Sequence, residues 1–597
     1  MRPQTPVLLG PADCVETWIH EALHDPTSAR CGAARSAIFD AVRIDRAGPL
    51  TGRLLAEVRA APVGPRLLLL ELLTGLCTGH DVPWPEAAAA AVSLMRDPQP
   101  SVRRASAWLL CDADQHRASG LLTGPDAEPD PVARLALAEA LLVRGNGPDR
   151  RTLRADPDPA IRLRAALRPD TDAVLADLDA AGARLGGPGG RTSWGAGTVW
   201  GLAASRSGDA ETCYADIGLL AARDTAVARR AAIDMAEVAL RKWRAAPEAL
   251  VPHLRPLLNG AGDPGVRAAA ASVVAGPLAT TRLCAEELAA LMDELPEAAA
   301  PALARIGDVR ALPRLCAIVA GGTLARTVTE GVDALARTGC DLGPLIATAA
   351  GFLDRHEGVA DRTVWAAVGV LRACGPAAAA AVPQLLRLLA PDADPTGLRT
   401  QAVLALGETG RGAVDAVPRL EGLLGGPGSR FTGQVEMALI RINGDRRRAE
   451  RLFARLPERR RDLNLAASLL TWLAEHGGLE PRHVAYLRAA CADPTRRAVH
   501  PKCAGALWRQ EGDDVAELAL DVLVPHLGGE VYGEYVCTVL GAMGAAAAGA
   551  VPALRAVAER RERLRLYIGG FDEETRADER LAEAARAALR RIADATP

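Results

Sequence analysis

Apolar positions recur along most of this chain three or four residues apart, the spacing of helices with one buried face, and the segments end at glycines or Asp-Pro turns. One pattern occurs three times, as LRACGPAAAAAVPQL (Leu371 to Leu385), LGETGRGAVDAVPRL (Leu406 to Leu420) and LGAMGAAAAGAVPAL (Leu540 to Leu554). All three fit L-x-x-x-G-x-x-x-x-x-A-V-P-x-L, and the first two lie 35 residues apart, from Pro383 to Pro418. The template describes two helices and a turn. Leu371, Leu406 and Leu540 fall in the last turn of one helix, and Gly375, Gly410 and Gly544 take the left-handed conformation that ends it. Pro383, Pro418 and Pro552 sit in the first turn of the next helix, where a missing N–H is tolerated. A single such hairpin cannot cover its own apolar face, so neighbours must stack on it.

The rest of the chain follows this scheme more loosely. Val15 to His24 reads as a helix stopped by Asp25-Pro26, with a partner from about Ala29 to Val42. Helical patterns continue over Leu54 to Leu76, Glu86 to Met95 and Val102 to Cys111, and Asp130-Pro131 opens another that ends near Arg144-Gly145. Leu185 to Gly201, LGGPGGRTSWGAGTVWG, has seven Gly and no helical period, which predicts a long loop or hinge. Repeats resume near Asp216, with Leu250-Val-Pro-His-Leu254 opening a helix and the same five residues recurring at Leu523 to Leu527. The central array runs to Gly425, and helices follow at Gly433 to Ile442, Arg446 to Leu456 and Leu463 to His476. Tyr567 to Glu574 reads as an irregular insertion, and the charged last helix, Ala577 to Ala593, as a cap with a polar outer face. The predicted organisation is a helical array over residues 1–185, a Gly-rich loop or hinge over 186–210, and a second array over 211–597.

These units resemble HEAT repeats, in particular the short HEAT-like type first associated with phycobilin lyases, whose pattern Leu303 to Leu315 follows with Gly307, Asp308, Arg310 and Ala311 in place. The resemblance implies an all-α, right-handed α-solenoid of stacked helical hairpins. It also implies a ladder in which an Asp in the turn of each repeat is followed six residues later by an Arg. Asp97 with Arg103, Asp156 with Arg162 and Asp224 with Arg230 match this spacing. Asp25, Asp130, Asp263, Asp394 and Asp493 lack such an Arg, so the ladder is expected to be broken.

Composition supports the helical class. The chain has 597 residues, more than one core can serve. Hydrophobic residues make up 49% but aromatics only 3%, with much of the difference in Ala, the best helix former. A net charge of −3 gives no global case for binding nucleic acid or an anionic membrane. Of 70 basic residues only Lys242 and Lys502 are lysines, a bias read as that of a GC-rich bacterial genome. The twelve Cys are scattered without a C-x-x-C, which suits a reducing cytosol, and the N-terminus is too weakly apolar for a signal peptide. The most apolar window, Val536 to Leu554, contains Pro552 and part of the repeat template, so it is not read as a membrane span.

Candidate chemistry is sparse. His20-Glu21-Ala22-Leu23-His24 matches H-E-x-x-H, in which two imidazoles on one helix face hold zinc and the Glu acts as general base. No third ligand stands at a matching spacing, and an exposed helix bearing two His is the preferred reading. Deoxyhypusine hydroxylase, a di-iron HEAT-repeat enzyme, uses several His-Glu dyads; this chain has only His20-Glu21 and His356-Glu357, at non-equivalent positions. HEAT-like folds also include alkylpurine DNA glycosylases with basic surfaces. Arg446 to Arg448, Arg459 to Arg461, and Arg560, Arg561, Arg563 and Arg565 are Arg clusters, each interleaved with acids as on a solvated helix face. Gly195, Gly197 and Gly201 lack the strand and the Gly-Lys-Ser/Thr of a phosphate loop. Trp194 and Trp200 read either as contact residues on that loop or, preferably, as side chains that pin it. The sequence therefore predicts a cytoplasmic, non-enzymatic scaffold without cofactor or membrane, binding one or more proteins along a groove of second helices. Nucleic-acid binding and a zinc hydrolase using His20, Glu21 and His24 are the alternatives.

Overall fold

The structure, a computed structural model, describes residues 38, 49–77, 84–123, 127–144, 150–185, 196–260, 263–322, 326–356, 362–390, 397–424, 432–456, 463–529, 532–564 and 571–595. Helices dominate these residues, and they fall into two compact units, Met1–Ser207 and Gly208–Pro597.

In the first unit the second helices of successive hairpins are Val63–Cys77, Pro100–Ala113, Pro131–Arg144 and Pro159–Ala165, each packed on the next. Their starts carry Pro100, Pro131 and Pro159, whose fixed φ and missing N–H suit a first turn. The buried faces are built from Leu, Ala and Val, among them Leu69, Leu73, Val102, Leu109, Leu137 and Leu141, all fully covered. Helix Ala196–Ser207 belongs to this unit and corrects the expected loop over 186–210; residues 186–195, with Trp194 and Gly195, lie outside the described residues. Gly197, Trp200 and Gly201 are all buried in that helix. The glycines that read as breakers there are buried positions of a helix whose Trp200 has no exposed surface.

The second unit has two layers. Its second helices are Ala226–Lys242, Pro264–Ala275, Pro296–Arg305, Arg326–Arg337, Arg362–Ala373, Leu398–Thr409, Thr432–Asn443, Leu463–Glu475, His500–Glu511, Gly533–Met543 and Phe571–Ala595. Each packs on the next, with Arg446–Arg455 bridging the step between Thr432–Asn443 and Leu463–Glu475. Small residues set the spacing at these crossings. A Cβ on Gly407 would stand 3.1 Å from Cα of Ala438, and one on Gly541 3.1 Å from Cα of Ala588, so a larger side chain would push the helices apart.

The three template copies mark the junctions between hairpins. The opening Leu, the Ala and the closing Leu of each copy are fully buried. Gly375, Gly410 and Gly544 have φ of 54°, 62° and 56°. With ψ near −137° at Gly410 and −131° at Gly544, the backbone is not in the left-handed helical region expected from the sequence but in a region reserved for glycine. From there the chain winds through a short 3-10 helix, Gly375–Ala381, Gly410–Ala416 or Gly544–Ala550, before the Pro-bearing α-helix begins. Gly512 takes the same conformation, φ 57° and ψ −134°, at a junction that does not match the template. The break at Gly544 also divides the apolar stretch Gly533–Ala558 into two helices joined by a 3-10 turn, so it is not one continuous span. Leu250-Val-Pro-His-Leu254 does not open a helix. Helix Ala246–Asn259 starts earlier, with Pro247 in its first turn, and the buried Leu250, Leu254, Leu257 and Leu258 carry it through Pro252 and Pro256. Its twin ends a helix at Leu523 and continues as the 3-10 turn Val524–His526.

Among the described residues of the first unit the Asp-Arg ladder runs unbroken from Asp97 to Asp156, contrary to the break expected at Asp130; Asp25 lies outside the described residues. Arg103 donates from Nη1 to the backbone oxygen of Asp97 at 2.8 Å and from Nε to Asp130 at 2.9 Å, while Arg66 pairs with the Asp97 carboxylate. Arg134, four residues after Asp130 rather than six, reaches Asp156 at 3.1 Å, and Arg162 holds the backbone oxygen of Asp156 at 2.8 Å and Asp177 at 3.0 Å. Glu128 holds the place of Asp97 and Asp156 in this turn: it accepts from the Asp130 N–H at 3.1 Å as Asp97 accepts from Gln99 and Asp156 from Asp158, both at 2.8 Å, so Arg134, six residues after Glu128, sits in the same register as Arg103 and Arg162. Asp224 and Arg230 do not pair: Arg229 holds exposed Asp224 at 3.1 Å, and Arg230 turns to Asp234 at 3.0 Å.

Two comparisons check these readings. Gly410→Ala should destabilise by about 1–3 kcal/mol, because nothing blocks its Cβ and only the backbone conformation opposes it, whereas Gly422→Ala, also unobstructed but helical, should be neutral or slightly stabilising. Likewise Arg134→Ala should cost about 1.5–3 kcal/mol by stripping a charged partner from buried Asp156, against less than about 0.5 kcal/mol for Arg230→Ala. Denaturant midpoints and amide exchange of the four variants measure both differences.

Candidate functional site

The C-terminal helix Phe571–Ala595 begins six residues before its expected start and takes in Phe571 to Glu574, read from sequence as irregular. Asp572, Glu573 and Glu574 lie in its first turn, where unpaired N–H groups favour acids. Its apolar residues Leu581, Ala585, Ala588 and Ile592 pack on Gly533–Met543 and Val551–Ala558. On its opposite side, Arg576, Asp578 and Glu579 in the first half are buried. That side lies against Ala226–Lys242 and Leu278–Leu283, in the first repeats of the same unit, so the row of second helices returns to its own beginning.

The closure is polar, and its centre is buried. Asp578, with no exposed surface, accepts from Arg244 Nε at 2.9 Å and Nη2 at 2.6 Å, from the Leu564 N–H at 3.0 Å and from Arg563 Nη1 at 3.4 Å. Arg563 further donates to Glu579 at 2.9 Å and to the backbone oxygen of Leu240 at 2.7 Å. Glu579 caps the Leu278 N–H at 2.6 Å. Arg576 reaches Glu330 at 2.9 Å and the Gly276 carbonyl at 3.2 Å. The main chain joins as well: Arg244 N–H donates to Arg561 O at 3.0 Å and Arg563 N–H to Lys242 O at 2.9 Å, around an antiparallel bridge between Trp243 and Glu562. Nearby Arg305 is pulled down to about 10, first by burial and then by the Arg576 charge. Bidentate guanidinium–carboxylate geometry with extra backbone donors is the arrangement that offsets charge desolvation.

The expected polar outer face is therefore present only in the second half of the last helix, where Arg586, Arg590, Arg591 and Asp594 are exposed, and is corrected for the first half. Arg576, Asp578 and Glu579 are buried because a second surface covers them. Arg563, assigned from sequence to a basic cluster, belongs to this seam, and Arg565 lies outside the described residues. Arg446 is bound to Glu450 at 2.9 Å and to the Gly478 carbonyl at 2.8 Å, and Arg448 to Glu436 at 2.6 Å; Arg459 to Arg461 lie outside the described residues.

His20, Glu21 and His24 also lie outside the described residues. His356 stacks on Phe352 at 4.0 Å and donates to the Phe352 carbonyl at 2.9 Å; Glu357 is outside. Among the described residues no three His, Cys, Asp or Glu side chains form a group able to hold a metal ion. Burial pushes the thiols of Cys213, Cys374, Cys503 and Cys537 up to about 12, which keeps them protonated. The seam could not be found from sequence, because Arg244 and Asp578 are 334 positions apart. The only local signal was an Arg run followed by an acid-rich helix start.

A different surface is repeated along the second helices. Near their C-terminal ends stand Arg337, Arg372, Glu408, Arg441, Glu475 and Arg509, one on each of six successive helices, from Arg326–Arg337 to His500–Glu511. All are exposed except Glu408, which is half-buried. Arg441 meets Glu408 at 2.5 Å and Arg509 meets Glu475 at 3.0 Å, each pair spanning one repeat.

No family model matches the chain, and no curated protein does. Among solved structures it is similar to Kap121p, at 13% identity over 98% of this chain and 75% of that one, with a TM-score of 0.37. It is also similar to yeast importin-beta (Kap95p), at 12% identity over 99% of this chain and 80% of that one, with a TM-score of 0.36. The chain is an all-α, HEAT-like solenoid. Its stacked hairpins carry that assignment, and the distant likenesses add nothing about function.

Asp578→Asn should cost about 3–5 kcal/mol, since it leaves two buried guanidiniums short of charge, and should speed amide exchange at residues 242–244 and 561–563. Glu583→Gln, which touches only the exposed pair with Arg282, should cost less than about 1 kcal/mol.

Proposed function

We propose that the protein is a non-enzymatic scaffold in the cytoplasm that holds one or more protein partners on its second helices. The stripe from Arg337 to Arg509 carries this reading: it places charges of both signs on consecutive helices at repeat spacing. Its internal ion pairs are exposed and worth about 0–1 kcal/mol each, so a partner can exchange them at little cost. Mixed charge at fixed intervals selects a partner by register more than by affinity. Anchoring would fall to a few residues along the same row.

The test is affinity capture from native cytosol with the full chain and the Arg372→Glu/Arg441→Glu variant, each with and without nuclease. A protein retained near stoichiometrically, resistant to nuclease and reduced tenfold or more by the variant is the expected outcome. Retention that disappears with nuclease, or that the variant leaves unchanged, rejects the reading.

A further inference from the structure

The first unit contains a cavity of about 180 Å³ lined by Glu139, Arg164 and Arg150, by Arg206, and by the apolar side chains of Leu142, Leu167, Val199 and Leu202. Its floor is a buried ion pair. Arg164, without exposed surface, donates from Nε to Glu139 Oε1 at 3.1 Å, and the other Glu139 oxygen accepts from Arg104 at 2.9 Å. Both oxygens of the one carboxylate in the lining are thus engaged by other guanidiniums. Leu167, 49% exposed, and Arg206, also exposed, mark the mouth.

Arg150 stands between floor and mouth, at the start of the short helix Arg150–Arg154. Its Nη1 is buried and has no hydrogen-bond partner. Burial, and then the nearby Arg206 charge, hold its guanidinium below the usual range. A buried donor without an acceptor is unfavourable, and a second cation close by adds to that. An anion in the cavity would supply both the missing acceptor and the missing charge.

The apolar walls narrow the choice of anion. A free inorganic anion would lose its hydration against Leu142, Val199 and Leu202 with nothing in return. A chain-bearing carboxylate gains from the same walls. At ~30 Å³ per water, the space holds roughly six waters, or an occupant of about six to eight heavy atoms. We propose that this cavity is a binding site for an alkyl carboxylate, gripped by Arg150 through its carboxylate and lying with its chain along Leu142, Leu167, Val199 and Leu202. The same group comes from a free short-chain acid or from the C-terminus of a peptide ending in an aliphatic residue.

Calorimetric titration of the full chain separates the cases, with hexanoate, hexan-1-ol, inorganic phosphate and the peptide acetyl-Gly-Gly-Leu as probes. Hexanoate should bind with one site per chain and at least tenfold more tightly than hexan-1-ol or phosphate. Arg150→Gln should weaken it tenfold or more, and Leu167→Ser severalfold, with helicity by circular dichroism unchanged. If the peptide binds more tightly than hexanoate the source is a chain terminus, and if less tightly it is a free acid. The proposal is overturned if neither carboxylate binds, if phosphate or the alcohol binds as well as hexanoate, or if Arg150→Gln binds like the unaltered chain.

Discussion

A helical hairpin of this chain has apolar faces on two sides and only its neighbours to cover them. Everything else in the molecule answers that constraint. Ala, Gly and Leu at the crossings let second helices approach closely enough to exclude water, as where Gly407 meets Ala438 and Gly541 meets Ala588. Junction glycines let the chain reverse between hairpins without spending residues on loops. A stack built this way has two ends, and an uncovered end leaves an apolar face in water.

In the second unit the two ends cover one another. Phe571–Ala595 lies on the last hairpin with one side and on the first repeats with the other. A seam of Leu and Ala would have closed as tightly but could slide by a helical turn. Asp578, held by Arg244, Arg563 and a backbone N–H, has one position in which all its bonds are made, so the ionic seam sets the register of closure. The ladder of the first unit uses the same chemistry more weakly, with guanidiniums that keep some contact with solvent linking successive turns.

Closure also sorts the charges of the molecule by role. Charges inside the seam are structural and are withdrawn from any partner. Those at the ends of the second helices remain in water and retain the exchangeable pairing that recognition requires. A linear count of Arg clusters cannot make this distinction, since Arg560 and Arg563 are three residues apart, one exposed and the other almost fully buried.

Helical class, the positions of the junctions and the identity of the buried Leu and Ala positions were legible in the sequence, because periodicity and glycine or proline placement act over a few residues and need no partner to take effect. The sequence also marked Asp97, Asp130 and Asp156 as turn residues. Whether Arg103, Arg134 or Arg230 completed the ladder depended on where the next repeat stood. Local pattern misjudged Ala196–Ser207, where buried Gly197 and Gly201 look like breakers, and Phe571–Glu574, whose acids begin a helix that packs on elements far away in the chain. The return of the last helix to the first repeats, the burial of Asp578 and the cavity beneath Arg150 belong to the tertiary structure alone. Each joins residues far apart in the chain through burial and charge, and those forces leave no periodic trace in a sequence.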